Sequence, residues 1–220
     1  MKLLSVKTAR CIWLLHISDL NPEGFNLREI IPSFLINTYN FRNLPSENKP
    51  PDQNKSLKFE YGEFRRNDND IPILVNLTIH DDGLVADTLS STLNSEKFLE
   101  DIDNRFAKLF NSPSPQTLVK EKLYLSEVYV STDKDLNLIN KKLKIISEYL
   151  SNSVEQGDRD FQFGGMSFWA NPEQKKHTPA PFRLERAIDA SFRENRYYSI
   201  APLQTDKHLE LLEKLEKILS

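Results

Sequence analysis

The sequence predicts an α+β fold: a largely antiparallel sheet with helices on one side, built as two similar βαβββα halves. Three observations carry this. Short runs of period-two alternation outnumber the helical stripes. Tight-turn residues such as Asp82–Gly83 sit between successive runs, where hairpins prefer them. The element order over residues 1–112 recurs over 113–220.

Taken in order, residues 9–18 (ARCIWLLHIS) are apolar on both alternating faces and read as a strand covered on both sides. Asn21–Pro22–Glu23–Gly24 is a turn. Asn26 then caps a helix, with Glu29 three residues on as its capping-box partner. The stripe Leu27, Ile30, Ile31, Phe34, Leu35 and Tyr39 has helical spacing. Pro32 falls near its first turn, where it kinks the helix or delays its start. Residues 43–56 are polar, hold three prolines and read as a loop. Leu57–Phe64 alternates as a strand, with Leu57, Phe59 and Tyr61 on one face and Lys58 and Glu60 on the other. Ile71–His80 and Leu84–Leu89 complete a meander. Ser95 then caps a helix to about Phe110, whose inward residues are Phe98, Leu99, Ile102, Phe106, Leu109 and Phe110.

Residues 111–116 (NSPSPQ) break the chain. The second half runs through a strand at Leu123–Ser131 and a helix from Asp133 or Asp135 to Leu150. Strands follow at Phe161–Trp169, Phe182–Ala187 and Asn195–Ile200. A final helix is capped by Thr205, with Leu209, Leu212, Leu215 and Leu219 as its stripe. Sequence echoes accompany the repeat. Residues 93–100 (LNSEKFLE) answer 203–210 (LQTDKHLE), with four of eight positions identical, aligning Ser95 with Thr205. Each half is thin, so the two are expected to pack together as one compact pseudo-two-fold unit, bounded at 1–112 and 113–220. The element order is similar to that of a TATA-binding-protein-like saddle. The likeness is one of element order alone: no motif matches, and no residue is carried over.

Composition narrows the chemistry. The 220 residues are 39% hydrophobic and 28% charged, with 29 Lys and Arg against 32 Asp and Glu, a net charge of −3. That is a globular mix with no global field to attract nucleic acid or anionic lipid. Charge is uneven: residues 67–117 hold 9 acidic and 3 basic side chains, residues 1–66 hold 10 basic and 7 acidic. A solvated acidic face explains this, and so does a complementary contact within an oligomer or with a basic partner. The single cysteine, Cys11, excludes an internal disulfide and a cysteine zinc site; it lies in an apolar run and reads as a core thiol. No apolar stretch reaches membrane-spanning length, and the default expectation is a cytoplasmic protein.

Catalytic and metal motifs fare poorly. There is no phosphate loop, and the one glycine pair, Gly164–Gly165, sits inside a strand pattern. Ser167 lacks the second glycine of a nucleophile elbow, and His16, His80, His177 and His208 stand in no recognisable relation to a serine or cysteine. His80–Asp81–Asp82 and Asp68–Asn69–Asp70 have turn chemistry rather than metal-ligand spacing. Glu173–Gln174–Lys175 and Glu47–Asn48–Lys49 match a nuclease tripeptide but fall in loops. No catalytic residue, metal or cofactor is expected.

The most distinctive stretch is 182–198. Arg183, Arg186, Arg193 and Arg196 interleave with Phe192, Tyr197 and Tyr198. On adjacent strands these could stack bases and grip phosphates. Glu185, Asp189 and Glu194 lie among them, so a structural ladder of cross-strand pairs, or a protein-binding patch, explains the pattern as well. The leading functional expectation is a non-catalytic protein-interaction or assembly module with a protein partner or a homo-oligomeric state. A nucleic-acid binder using the Arg183, Arg186, Arg193, Arg196, Tyr197 and Tyr198 face comes second, and a hydrolase with scattered residues third. No membrane partner is expected.

Overall fold

The structure is a computed structural model that describes residues 1–16, 19, 27–45, 56–67, 69–110, 117–134, 136, 143–154, 161–171, 173 and 179–218, with backbone alone at 27–29 and 110. The turn expected at Asn21–Gly24, the cap at Asn26, most of the 43–56 loop and the break at 111–116 lie outside the described residues. The elements are β1 (Lys2–Leu14), α1 (Leu27–Tyr39), β2 (Leu57–Phe64), β3 (Ile73–His80), β4 (Gly83–Thr88), α2 (Thr92–Phe110), β5 (Glu121–Ser131), α3 (Lys144–Ser153), β6 (Gly165–Phe168), β7 (Phe182–Arg186), β8 (Arg196–Ala201) and α4 (Thr205–Ile218). This is the expected α+β fold, with an eight-stranded sheet in the order β2-β3-β4-β1-β5-β8-β7-β6. The first four strands in that order mirror the last four, so each half repeats one topology. The chain divides into an N-terminal unit of Thr8–Ser126 with Leu203–Thr205, and a C-terminal unit of Met1–Lys7, Glu127–Pro202 and Asp206–Ser220.

In the N-terminal unit, alternation puts Ala9, Cys11 and Trp13 of β1 on the buried face. Ile12 and Leu14 on the other face are only half-buried, so one face is covered rather than both. Val75, Leu77 and Ile79 of β3 and Leu84 and Ala86 of β4 join them. Ile31, Leu35 and Tyr39 of α1 and Phe98, Leu99, Ile102 and Phe106 of α2 close the core from the helical side. The helical stripe in each case falls at i, i+3, i+4 spacing, as burial of one face requires. Strand β2 departs from the expected alternation. Phe59 and Phe64 are buried, yet Tyr61 turns out to solvent at φ 58°, where the register slips between Phe59 and Gly62. The Tyr61 amide donates to Asn76 Oδ1 at 2.8 Å, which holds this bulge from the neighbouring strand. Gly62 is then required, because a Cβ there would stand 2.5 Å from the Phe41 ring.

Helix α2 begins one turn before the expected cap. Ser91 Oγ accepts from the Asn94 amide at 3.2 Å, and Thr92 is the first helical residue. Ser95 is interior: its hydroxyl donates to the Ala9 carbonyl at 2.6 Å. The first residues of α2 and α4 meet directly. The Thr92 amide donates to Thr205 Oγ1 at 3.0 Å, and the Thr205 amide donates to Thr92 Oγ1 at 2.9 Å. Ser95, which the sequence echo aligns with Thr205, lies three positions after Thr92 within α2.

In the C-terminal unit, Val128 and Val130 of β5, Phe182 and Leu184 of β7, and Tyr197, Ser199 and Ala201 of β8 share the buried face. The stripe of α4 runs through His208 and Leu212, with Leu209 and Leu215 half-buried, and Leu219 outside the described residues. His208 Nε2 lies 2.8 Å from the Ser199 hydroxyl, which also stands 2.8 Å from the Arg183 carbonyl. Two elements are shorter than their sequence patterns: β6 covers only Gly165–Phe168, and α3 starts at Lys144 rather than near Asp133. The stripe expected for that helix splits, because Leu136 is buried while Ile146 and Leu150 are exposed.

The Cys11 thiol is buried, and burial, followed by the charge of Glu96, pushes it up from 9.0 to about 12. Burial likewise raises Tyr39, Tyr124 and Tyr198, with Tyr124 reaching about 12. An unfolded chain releases these protons near their ordinary values while the folded chain retains them. Stability is therefore full below about pH 9 and falls as the pH climbs toward 12. The urea midpoint is expected to drop steadily across that window. At pH 8 a thiol reagent should leave Cys11 untouched until denaturant is added; rapid modification of the native protein would contradict this burial.

Candidate binding face on β7 and β8

The Arg- and Tyr-rich stretch folds as the hairpin of β7 and β8. Its register places Arg183 opposite Ile200, Leu184 opposite Ser199, Glu185 opposite Tyr198 and Arg186 opposite Tyr197. A single 3-10 turn at Phe192–Glu194 connects them. It is closed by a capping box between Ser191 and Glu194, and Asn195 takes φ 44° to lead into β8. The bonds from the Ser191 backbone and side chain hold the Glu194 carboxyl below its ordinary value.

This register separates the six candidate residues. Tyr197 points into the core and is fully buried. Arg186 is held by two backbone carbonyls, one side-chain amide and two aromatic rings. Its guanidinium donates to the Phe163 carbonyl at 3.3 Å, the Phe192 carbonyl at 3.4 Å and Gln162 Oε1 at 3.0 Å, and it lies 4.8 Å from the Phe192 ring centre and 5.4 Å from that of Tyr197. Arg196 pairs with Glu194 at 3.7 Å. Tyr198 stands on the opposite face from Tyr197. Its hydroxyl donates to Glu127 Oε2 at 2.7 Å, the Lys7 ammonium lies 5.0 Å from its ring centre, and the Tyr129 ring is 5.6 Å away. Burial and then the Glu127 carboxylate raise its pKa. Arg193 is exposed on the 3-10 turn. Arg183 faces outward with its guanidinium 5.5 Å from the ring centre of Trp169.

Beside Arg183 lies a feature that the sequence did not single out. Strand β6 ends the sheet, and the two aromatic residues at its exit, Phe168 and Trp169, are 61% and 68% exposed. The Trp169 indole donates to Ser167 Oγ at 3.2 Å, which fixes the ring beside Arg183. Gly164, Gly165, Met166, Ser167 and Glu185 line a shallow open depression along the same edge. The adjacent glycines were the available signal. Gly165 must be glycine because a Cβ would meet the Leu184 carbonyl at 2.2 Å, whereas a Cβ at Gly164 would meet nothing within 4 Å.

Of the other motifs, His80, Asp81 and Asp82 sit at the end of β3 and in its turn. Asp70 accepts from the Asn67 amide at 3.1 Å and the Asn67 side chain at 3.0 Å, the turn chemistry expected of it. Asp68, Glu47, Lys49, Gln174, Lys175 and His177 lie outside the described residues. Among the described residues no group of three or more His, Cys, Asp or Glu side chains could hold a metal ion. No helix among them is long and apolar enough to cross a membrane.

No protein-family model matches the chain, and no curated protein matches it. Among solved structures it is similar to Methanococcus jannaschii TBP, with 14% identity over 99% of this chain and 95% of that one and a TM-score of 0.33.

Proposed function

We propose that the chain is a non-catalytic protein-interaction module, arranged as one βαβββα unit copied once, with halves at 1–112 and 113–220. One observation carries the functional reading. Arg186, Arg196, Tyr197 and Tyr198 are spent on contacts within the chain, while the large apolar groups Phe168 and Trp169 stand exposed at a sheet edge. For the β7–β8 hairpin to be a nucleic-acid platform, its own tyrosine faces and arginines would have to be available together. Here one tyrosine is in the core, and the other is tied to a carboxylate. Exposed aromatic groups beside an arginine are the chemistry of protein contacts. The mirrored strand order and the reciprocal bonds of Thr92 and Thr205 support the duplication.

Two measurements test the reading. Labelled single-stranded and duplex oligonucleotides, titrated at about 50 mM salt where phosphate contacts are strong, should show no anisotropy change. A photo-crosslinker in place of Trp169 should form a defined protein adduct in the producing cell, and one in place of Asp70 should not. Tight oligonucleotide binding that weakens in Arg183→Ala and Arg193→Ala would replace this reading with a nucleic-acid one.

A further inference from the structure

The two ends of the sheet differ. At the β2 end, residues beyond helix α1 cover the edge: the Arg42 and Asn43 amides donate to the Glu60 carbonyl at 3.2 Å, and the Glu60 amide donates to the Asn43 carbonyl at 3.0 Å. The Tyr61 bulge further spoils that edge for pairing. The β6 end has no such cover among the described residues. The Arg186 amide donates to the Gly164 carbonyl at 2.8 Å, which makes Gly164 and Arg186 a hydrogen-bonded pair. Hydrogen-bonded and open pairs alternate along an antiparallel ladder. Met166 and Phe168 therefore bond toward β7, and Gly165 and Ser167 turn their N–H and C=O groups outward.

We propose that this edge pairs with the same edge of a second copy of the chain, antiparallel, about a two-fold axis at Met166. The inference rests on the interaction-module reading and names one partner for it. Three matches in side-chain chemistry select a second copy. In this register Gly165 lies opposite Ser167 of the second copy, and Ser167 opposite its Gly165. On their outward face these two small residues are flanked by Glu185 on one side and Arg183 on the other, since Gly165 pairs with Glu185 and Ser167 with Arg183. Each row across the axis then runs from a carboxylate over two small residues to a guanidinium, and the operation that creates one row creates its reverse. On the other face, exposed Phe168 falls opposite Gly164 of the second copy, where the structure leaves open space beyond the Cα. Met166, at the axis, meets itself.

Sedimentation equilibrium of the full chain is the test. With only four strand residues at the contact, the dimer is expected to dissociate in the micromolar range, so wild type should pass from monomer to dimer between about 1 and about 200 µM. Ser167→Pro removes an outward N–H and no bond to β7, and should weaken the dimer at least about tenfold without lowering the melting temperature. At about 10 mM salt, where the screening length of about 30 Å exceeds the roughly 14 Å across each row, Arg183→Glu should weaken it severalfold by placing carboxylates on both sides of each row. The double exchange Arg183→Glu with Glu185→Arg should restore it to within about threefold of wild type, because the rows are then rebuilt in reverse. The proposal is overturned if wild type stays monomeric throughout, if Ser167→Pro dimerises as wild type does, or if the double exchange is as weak as the single. A monomer that still forms the Trp169 adduct with another protein would overturn the dimer and leave the interaction module standing. Oligonucleotide binding would instead overturn the module.

Discussion

Phe98→Ala is expected to destabilise the N-terminal unit by about 3–5 kcal/mol, the range for truncating a buried phenylalanine. Phe98 is fully buried at the centre of an aromatic cluster. Its ring centre lies 5.0 Å from Tyr39, 5.5 Å from Phe64 and 6.5 Å from Phe41. The cost of truncation depends on whether neighbours can relax into the void, and here each is restrained. The Tyr39 hydroxyl is bonded to Asp101 Oδ2 at 2.8 Å. Phe41 sits directly on Gly62 and packs at 5.5 Å against Phe59. Phe64 belongs to β2, whose register is set by the Tyr61 bulge. The void therefore stays largely open, and the upper part of the range is expected. Fully buried Trp13 reports on this unit by fluorescence in a Trp169→Phe background, since the chain has two tryptophans. Tyr149→Ala on α3, where the side chain is 71% exposed, should shift the same urea transition by no more than about 0.5 kcal/mol. A Phe98→Ala loss below about 1 kcal/mol would mean the cluster is not packed as described.

The legible and illegible parts of this fold divide by the range of the interaction that decides them. The strand run at Ile71–His80, the Asp82–Gly83 turn and the α1 stripe are settled within a few residues, and the element order with its repeat follows from such signals. The Tyr61 bulge is decided by the Asn76 side chain on another strand, and local periodicity places Tyr61 on the wrong face. Ser95 satisfies every local rule for a cap, yet Ser91 caps the helix, and Ser95 is drawn inward by the Ala9 carbonyl. The candidate site follows the same division. The sequence shows that arginines and aromatics interleave, but only the register of β7 on β8 shows that Arg186 and Tyr197 are spent on each other. His208 could have been found from its place four residues before Leu212 on the α4 stripe, although Ser199, its partner, lies on another element. The β6 edge was hidden because a strand pattern does not say which strand is last in the sheet.

Thr92→Val and Thr205→Val are each expected to cost about 1–3 kcal/mol, the penalty for leaving a buried amide without an acceptor. The first amides of a helix have no partner within it and ordinarily turn to water or a local cap. Those of Thr92 and Thr205 cannot use water, because both residues are buried, and each uses the hydroxyl of the other. Valine keeps the shape and removes only the acceptor, so each single change strands the opposite amide. Thr→Ser at either position keeps the acceptor and should cost under about 1 kcal/mol, which separates hydrogen bonding from packing. The double valine variant strands both amides, so the two losses should nearly add. The small non-additive part reflects the contact between the hydroxyls at 3.4 Å, on the order of 0.5 kcal/mol. A local cap fails on its own helix. In this pair the hydrogen exchange of the amide facing the removed hydroxyl should rise, so Thr205→Val exposes Thr92 and Thr92→Val exposes Thr205. If each substitution instead loosened only the helix that carries it, the two threonines would be ordinary first-turn residues that happen to be close, and the reciprocal bonds would not be what holds the two helix starts.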